Sequence, residues 1–402
     1  MRNNTSAAST TRGFSLVELM VALLIGLIIS IGVVQIFGAT RATYQLDESL
    51  ARAQENGRFA MEFLQQDIRH AGYAGCKRDT TVAVFNNLAY TPNAGLSIVG
   101  ISGAEYTATA TGYNDTYPLG PTPANTATGW SPALSTVIGA PTVPALPGSD
   151  VLVLQRMVPN SWALAPPYVD ADNVFLDPAF VSKVRVGMAD DGDVLLVADC
   201  RSAVAFRATA ITAAGVISHD VGPTANRCAR WTTGLDTMNA DTACPGAFDY
   251  TPVPATTAIG KLETVVFFAA NDTADPAAVG ANARPTLFRR VILATGDIVE
   301  TTALVEGVEN FQVLYGVDTD LQPDGVPNQY VPANAVVAFN QVVSVQIGLL
   351  VYGVNATGTA NDTEIDMGRH VVAGTNIDIA PPGDRRSRRV FNTTIQLRNR
   401  SF

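Results

Sequence analysis

Proline is missing from the first 91 residues, the earliest of the 23 being Pro92. Nothing in that stretch obliges a helix to stop. Histidine is scarce at three residues and cysteine at four, and no two cysteines stand at CxxC spacing, which leaves little for a zinc site. No G-x-S-x-G occurs, and His70 falls in an amphipathic pattern and His219 and His370 in loop-like contexts, so no enzymatic chemistry is expected. Charged residues make up 15% against a usual share of about 25%. With 47% hydrophobic residues, that profile excludes intrinsic disorder. Long apolar runs are also missing but for one, which excludes a many-span membrane protein. Acids outnumber Lys and Arg by 36 to 26, giving a net charge of −10 and no global pull on nucleic acid or anionic lipid. A length of 402 residues suggests two or three domain-sized units.

The lone apolar run lies near the start. Residues 1–13 are polar and carry Arg2 and Arg12 without an acid, and between Glu18 and Arg41 stand 22 uncharged residues. That is long enough for a spanning helix of about 20 residues. The preceding arginines predict a cytoplasmic N-terminus and an exported bulk. An ordinary secretory cleavage site would follow the run, yet Gly38-Ala39-Thr40 matches one poorly. The informative junction precedes it, at Gly13-Phe14, where a glycine lets a peptidase approach the backbone. Glu18 opens an otherwise apolar helix at a cost of a few kcal/mol unless it finds a partner. If the chain is cut after Gly13, Phe14 becomes the amino terminus, and Glu18 can pair with the terminal amine of a neighbouring subunit. Such a pair favours lateral assembly.

Gly13-Phe14-Ser15-Leu16-Val17-Glu18-Leu19 behind a basic leader resembles the class III (prepilin) signal of type IV pilins and type II secretion pseudopilins. The resemblance implies removal of leader 1–13 by prepilin peptidase, N-methylation of Phe14, and an assembly role for Glu18.

From Phe14 to about His70 the chain reads as one helix of about 85 Å. Residues 14–38 form its transmembrane, filament-core half and 39–72 its amphipathic half. Leu46, Leu50, Ala53, Gly57, Ala60, Leu64 and Ile68 recur at helical spacing and predict the face that packs on a head. Ala71-Gly72 supplies a stop. Gly26, Gly32 and Gly38 permit close helix contact or local melting, with ordinary membrane-helix glycines as an equal reading. Beyond residue 73 the texture is β, with strands expected at 151–155, 194–198, 203–211, 264–269, 287–293, 308–317, 342–352 and 391–397. The clearest alternation is Val343, Val345, Ile347, Leu349 and Val351. No second long helix separates the strands, so antiparallel pairing is expected. The expected class is α+β, a long helix on an antiparallel head spanning 73–402. Residues 80–150, with no Lys or Arg from Asp79 to Gln155, read as a long surface excursion.

The exported part holds Cys76, Cys200, Cys228 and Cys244, an even number in a disulfide-permissive compartment. Three pairings exist. The favoured one joins Cys228 to Cys244, a loop of about 15 residues contributing about 3 kcal/mol in the chain-entropy model. Cys76 then joins Cys200 and ties helix to sheet. Asp318, Asp320 and Asp324 crowd one tight loop as a calcium candidate. The run lacks the closing Glu of an EF-hand loop, so a plain Asp/Gly/Pro turn is preferred and no cofactor is expected. Arg385, Arg386, Arg388 and Arg389 form a basic cluster, read as a solvated loop or edge-strand guard before a partner or DNA contact.

Several further runs, in order, resemble the PilW family of type IV pilus minor pilins. They are Gln66 to Cys76 (QDIRHAGYAGC), Ala198-Asp199-Cys200, Leu304 to Asp318 (LVEGVENFQVLYGVD) and Leu397-Arg398-Asn399. Tyr352 departs from the basic residue expected there. The resemblance implies a pilin-like fold and a non-catalytic subunit of a tip complex that primes pilus assembly. The head would sit in the periplasm and later on the pilus. Implied partners are other minor pilins, the major pilin, prepilin peptidase, the inner-membrane assembly machinery and a PilY-type tip adhesin, serving twitching, adhesion or DNA uptake. The alternatives are a J-type minor pseudopilin of type II secretion and a ligand- or DNA-binding pilus subunit.

Overall fold

The structure, a computed structural model, describes residues 15–75, 84–88, 100–107, 116–119, 124–138, 144–158, 162–169, 173–177, 192–198, 203–222, 225–226, 257–271, 284–293, 298–353, 369–379 and 387–400. It is an α+β pilin-like architecture with one long N-terminal helix and a largely antiparallel head.

Helix α1 runs Leu16–His70 without a break. Ser15 caps it: the Glu18 N–H donates to Ser15 Oγ at 3.2 Å, and the Ser15 N–H donates to Glu18 Oε2 at 3.0 Å. This reciprocal arrangement satisfies two end donors at once. The second half buries Ser49, Ala53, Gly57, Ala60, Met61, Leu64 and Ile68. Leu46 and Leu50, expected on that face, are half-buried, and Ser49 takes the innermost place because its Oγ meets Ser387 Oγ at 3.2 Å. The Gly57 backbone lies so close to the Phe391 ring that a Cβ would collide with it.

That face lies on a four-stranded antiparallel sheet ordered Gln329–Val331, Val308–Val317, Val342–Tyr352, Arg388–Gln396. Val345, Ile347, Leu349 and Val351 point into the core shared with α1. The hairpin Arg369–Val372 with Thr375–Ile379 covers the other face, and Ala373 presses on Gly348. A larger branched sheet centres on Ala258–Asn271. Within it Val265, Phe267 and Ala269 join the α1 core, whereas Val266, Phe268 and Ala270 join a second core on the opposite side. Burial on both faces is why its stretch from Val265 to Ala270 reads as an unbroken apolar run. Among the described residues two strand pairings are parallel, Val84–Asn86 with Ala203–Arg207 and Thr116–Leu119 with Thr375–Ile379.

Two expectations need correction. The segment 80–150 is only in part a surface excursion where it is described: residues 124–129 and 131–133 are exposed or half-buried, but other stretches enter the core. Ile101–Tyr106 is buried throughout and pairs with Val151–Met157, while Trp130, Leu134, Val137 and Ala145 fill the second core. The strand expected at 203–211 breaks into Ala203–Arg207 and Ala210–Ile211. A strand not anticipated, Ile298–Glu306, precedes Gly307. At φ 94° this glycine turns the chain from the larger sheet into the four-stranded one. Its N–H donates to Pro285 O at 2.7 Å and its carbonyl accepts from the Tyr352 N–H at 2.9 Å. Tyr352, where a basic residue was expected, closes its strand through this backbone bond.

Candidate functional site

The first candidate surface is the apolar half of α1. From Leu16 to Phe37 its large hydrophobic side chains stand exposed, with a mean hydropathy of 2.7 over the richest window and none of that window buried by the head. Leaving so many side chains in water would cost about 1.5–3 kcal/mol each, so lipid or other helices must cover them. Ser30 Oγ donates to Gly26 O and Thr40 Oγ1 to Ile36 O, both at 2.8 Å, which satisfies these hydroxyls without water. Gly26, Gly32 and Gly38 have open space around them. Glu18, whose carboxylate is satisfied by the Ser15 N–H, marks the head of this stretch. Gly13 and Phe14 lie outside the described residues.

The second is the junction of α1 with the head. Asp67, one turn from the helix end, accepts from Arg156 Nη1 at 2.8 Å and from Arg289 Nε at 2.7 Å. Arg156 Nε also donates to Glu263 Oε1 at 2.6 Å. Burial alone would lower the Arg156 pKa, but Asp67 and Glu263 outweigh it and the net shift is upward. Asn399 Nδ2 donates to Ala71 O at 3.0 Å, capping a helix-end carbonyl from the far terminus. Gly72, at φ 71°, crosses Gly100, at φ 86°, backbone to backbone. Glu309, in Val308–Val317, accepts from Arg388 Nε at 2.6 Å and Nη2 at 3.1 Å.

Asp67, Gly72 and Asn399, from two of the runs quoted above, gather at the helix end, whereas Gly307 and Glu309, from a third, lie beside the middle of α1, where Asn56 Nδ2 donates to Glu306 O at 3.0 Å. Sequence reasoning missed Arg156, Glu263, Arg289 and Glu309 as partners. A signal existed for one of them: Arg156 is the first cation after Arg78 and ends an apolar strand.

The basic cluster is not a patch. Arg385 and Arg386 lie outside the described residues, Arg388 is buried against Glu309, and Arg389 faces the Gln54 amide, whose oxygen, once turned toward it, accepts from Nη1 at 3.0 Å. Asp318, Asp320 and Asp324 do converge, their nearest oxygens within 4.8 Å of one another. Yet Asp318, itself buried, already accepts from the N–H groups of Asp320, Asp324 and Gly325 at 3.1, 3.0 and 2.8 Å. Asp324 Oδ1 accepts from Val326 N and Asp320 Oδ1 from Asn328 Nδ2. These bonds build the Asp/Gly turn from its own backbone. Cys76, Cys200, Cys228 and Cys244 lie outside the described residues. Gly75, beside Cys76, faces Ala198, two residues before Cys200: a Cβ placed on Gly75 would fall 3.6 Å from Ala198 Cβ.

A buried carboxyl pair was also missed. Asp150 accepts from Val313 N at 2.8 Å and Tyr106 N at 3.4 Å, and hydrogen-bonds Glu105. Burial first, and the Glu105 charge second, hold its pKa well above the usual carboxylate range. Burial first, then both carboxyls, likewise raise the phenol of Tyr315. The native pair therefore keeps a proton that the unfolded chain releases above about pH 4. Since the native state then binds more protons, stability contributed here falls as pH rises from about 4 through the raised native value. Urea unfolding at pH 5 and pH 8 should show the loss, and Asp150→Asn should flatten it; an unchanged slope in the variant would refute the assignment.

An uncovered apolar half-helix continuous with a half locked to a β head defines a membrane-anchored, pilin-class protein. Comparison with family models agrees: residues 9–34 match the prokaryotic N-terminal methylation motif. Residues 273–399, about a third of the chain, match the family model of the type IV pilus-assembly protein W, so this part is similar to a PilW domain. No curated protein and no solved structure matches.

Proposed function

We propose that the chain is cut between Gly13 and Phe14 by prepilin peptidase, methylated at Phe14, and held in the inner membrane with its head in the periplasm. From there it joins other minor pilins in a tip complex that primes polymerisation of the major pilin and presents a PilY-type adhesin. The observation that carries this reading is the uncovered apolar half of α1, headed by Glu18. In the intact chain the Glu18 carboxylate holds the Ser15 N–H; after cleavage the terminal amine of a neighbouring subunit offers it a charged partner. Glu18→Ala is expected to leave the head folded and to cut the amount of protein in filaments at least tenfold. No catalytic step is assigned to the subunit.

Mass spectrometry of sheared surface filaments and of the membrane fraction tests the reading. A start at N-methylated Phe14, at trace level in pili, is the expected result. The same start confined to the envelope would favour the secretion pseudopilin. An uncleaved Met1, or cleavage near Ala39, would sink the pilin reading.

The disulfides complete the proposal. The contact of Gly75 with Ala198 supports Cys76 with Cys200, leaving Cys228 with Cys244. Peptide mapping without reduction should recover those two linked pairs, and any crossed pair refutes it. Loss of the Cys228–Cys244 bridge should cost about 3 kcal/mol.

A further inference from the structure

The terminal strand Arg388–Gln396 pairs over its nine residues with Val342–Tyr352 in an unshifted register, and among the described residues its other edge pairs with nothing. Sheets guard such edges with lysine, proline, bulges or inward charges, because a bare edge recruits other strands. Here Val390 to Gln396 (VFNTTIQ) has no charge, proline or glycine. The arginine that opens the strand is spent on buried Glu309, and the next on Gln54.

Beside this edge a groove of about 810 Å³ runs between the strand and α1. Arg58, Arg69 and Arg398 line it against Glu62 as the single acid, with His70 at the same wall. Three guanidinium groups in one groove run against a chain of net charge −10. Unpaired backbone asks for an extended strand and cationic walls ask for carboxylates, so one occupant meets both demands.

We infer that the open edge of Arg388–Gln396 and the arginine groove beside it take up an extended, acidic segment of a neighbouring pilin-class subunit, adding it as a fifth strand. This rests on the minor-pilin reading for the nature of the partner, and on the groove alone for the chemistry of the segment. Nucleic acid is the lesser fit, since it would use the cations but not the strand edge.

The test uses the full chain in detergent and four probes: a nine-residue peptide alternating Glu with Val and Thr, its Lys counterpart, the Glu peptide N-methylated at alternate amides, and a 15-nucleotide single strand of DNA. The acidic peptide should bind at least tenfold more tightly than the other three. Arg58→Glu with Arg69→Glu, both exposed on α1, should weaken it at least tenfold. Equal binding of the Lys peptide or of the N-methylated peptide, or tighter binding of DNA, would overturn the inference. Processing at Phe14 is read separately in the filaments. If that fails while peptide binding holds, the minor-pilin reading falls and the groove stands; the converse removes the groove alone.

Discussion

Arg388→Ala is expected to lower the unfolding free energy of the head by about 3–5 kcal/mol, the usual cost of breaking a buried ion pair from one side. The side chains of Arg388 and Glu309 are 3% and 2% exposed, so solvent screens neither. The pair reaches across Val342–Tyr352 from one flanking strand to the other, near the corner made by Gly307. Without the guanidinium, the Glu309 carboxylate keeps its burial and loses two charge-assisted hydrogen bonds. Arg388→Lys should fall between, because a point ammonium cannot make the two-pronged contact. The double change Arg388→Met with Glu309→Leu should recover most of the loss, since apolar replacement of a buried pair is often neutral. Urea unfolding followed by the fluorescence of buried Trp130 and Trp162 reads all three. A cost under about 1 kcal/mol for Arg388→Ala would show that the pair does not hold the sheet.

How far such a site can be read in advance depends on the range of the interaction. The helix was legible because its causes are local: no proline before Pro92, an uncharged run from Leu19 to Thr40, then apolar residues at helical spacing. The strand at Val342–Tyr352 was legible through its alternation, although its second face proved buried beneath the Arg369–Ile379 hairpin. Ile101–Tyr106 was not, because Gly103 and Glu105 argue locally against a core strand. Both are explained only by distant residues. The Tyr315 hydroxyl and Val151 O fill the space a Cβ at Gly103 would need, and Asp150 shares a hydrogen bond with Glu105.

The same limit applies to the junction. Asp67, Gly72, Gly307, Glu309 and Asn399 lay within runs recognised by resemblance. That Asp67 meets Arg156 and Arg289, 89 and 222 positions away, is a product of the fold and not of any spacing. The basic cluster, read as a solvated loop or edge-strand guard, met the same limit: of its two described members, alternation along the strand sends neighbours to opposite faces. Arg388 goes to Glu309 and Arg389 to the helix.

Asp67→Ala acts at that junction, and its expected cost is about 3 kcal/mol, the lower end for a buried pair. Two features temper it: Arg156 keeps Glu263, and the Arg289 side chain is 20% exposed, so water relieves part of the loss. The consequence differs in kind from that of Arg388→Ala. Asp67 bonds no strand to another strand; it holds the last turns of α1 to Val151–Met157 and Pro285–Leu293. The head should therefore keep its sheets while the amphipathic half of α1 becomes easier to lift. Limited proteolysis should cut the variant between Leu46 and His70 under conditions that leave the parent chain intact, with buried-tryptophan fluorescence unchanged. Loss of fluorescence in step with cleavage would mean that helix and head unfold as one unit, and the idea of a separable junction would fail. If the junction does separate, the variant should still be processed and stored in the membrane, yet drop out of filaments. An anchor that no longer fixes the orientation of its head cannot present that head to a neighbour.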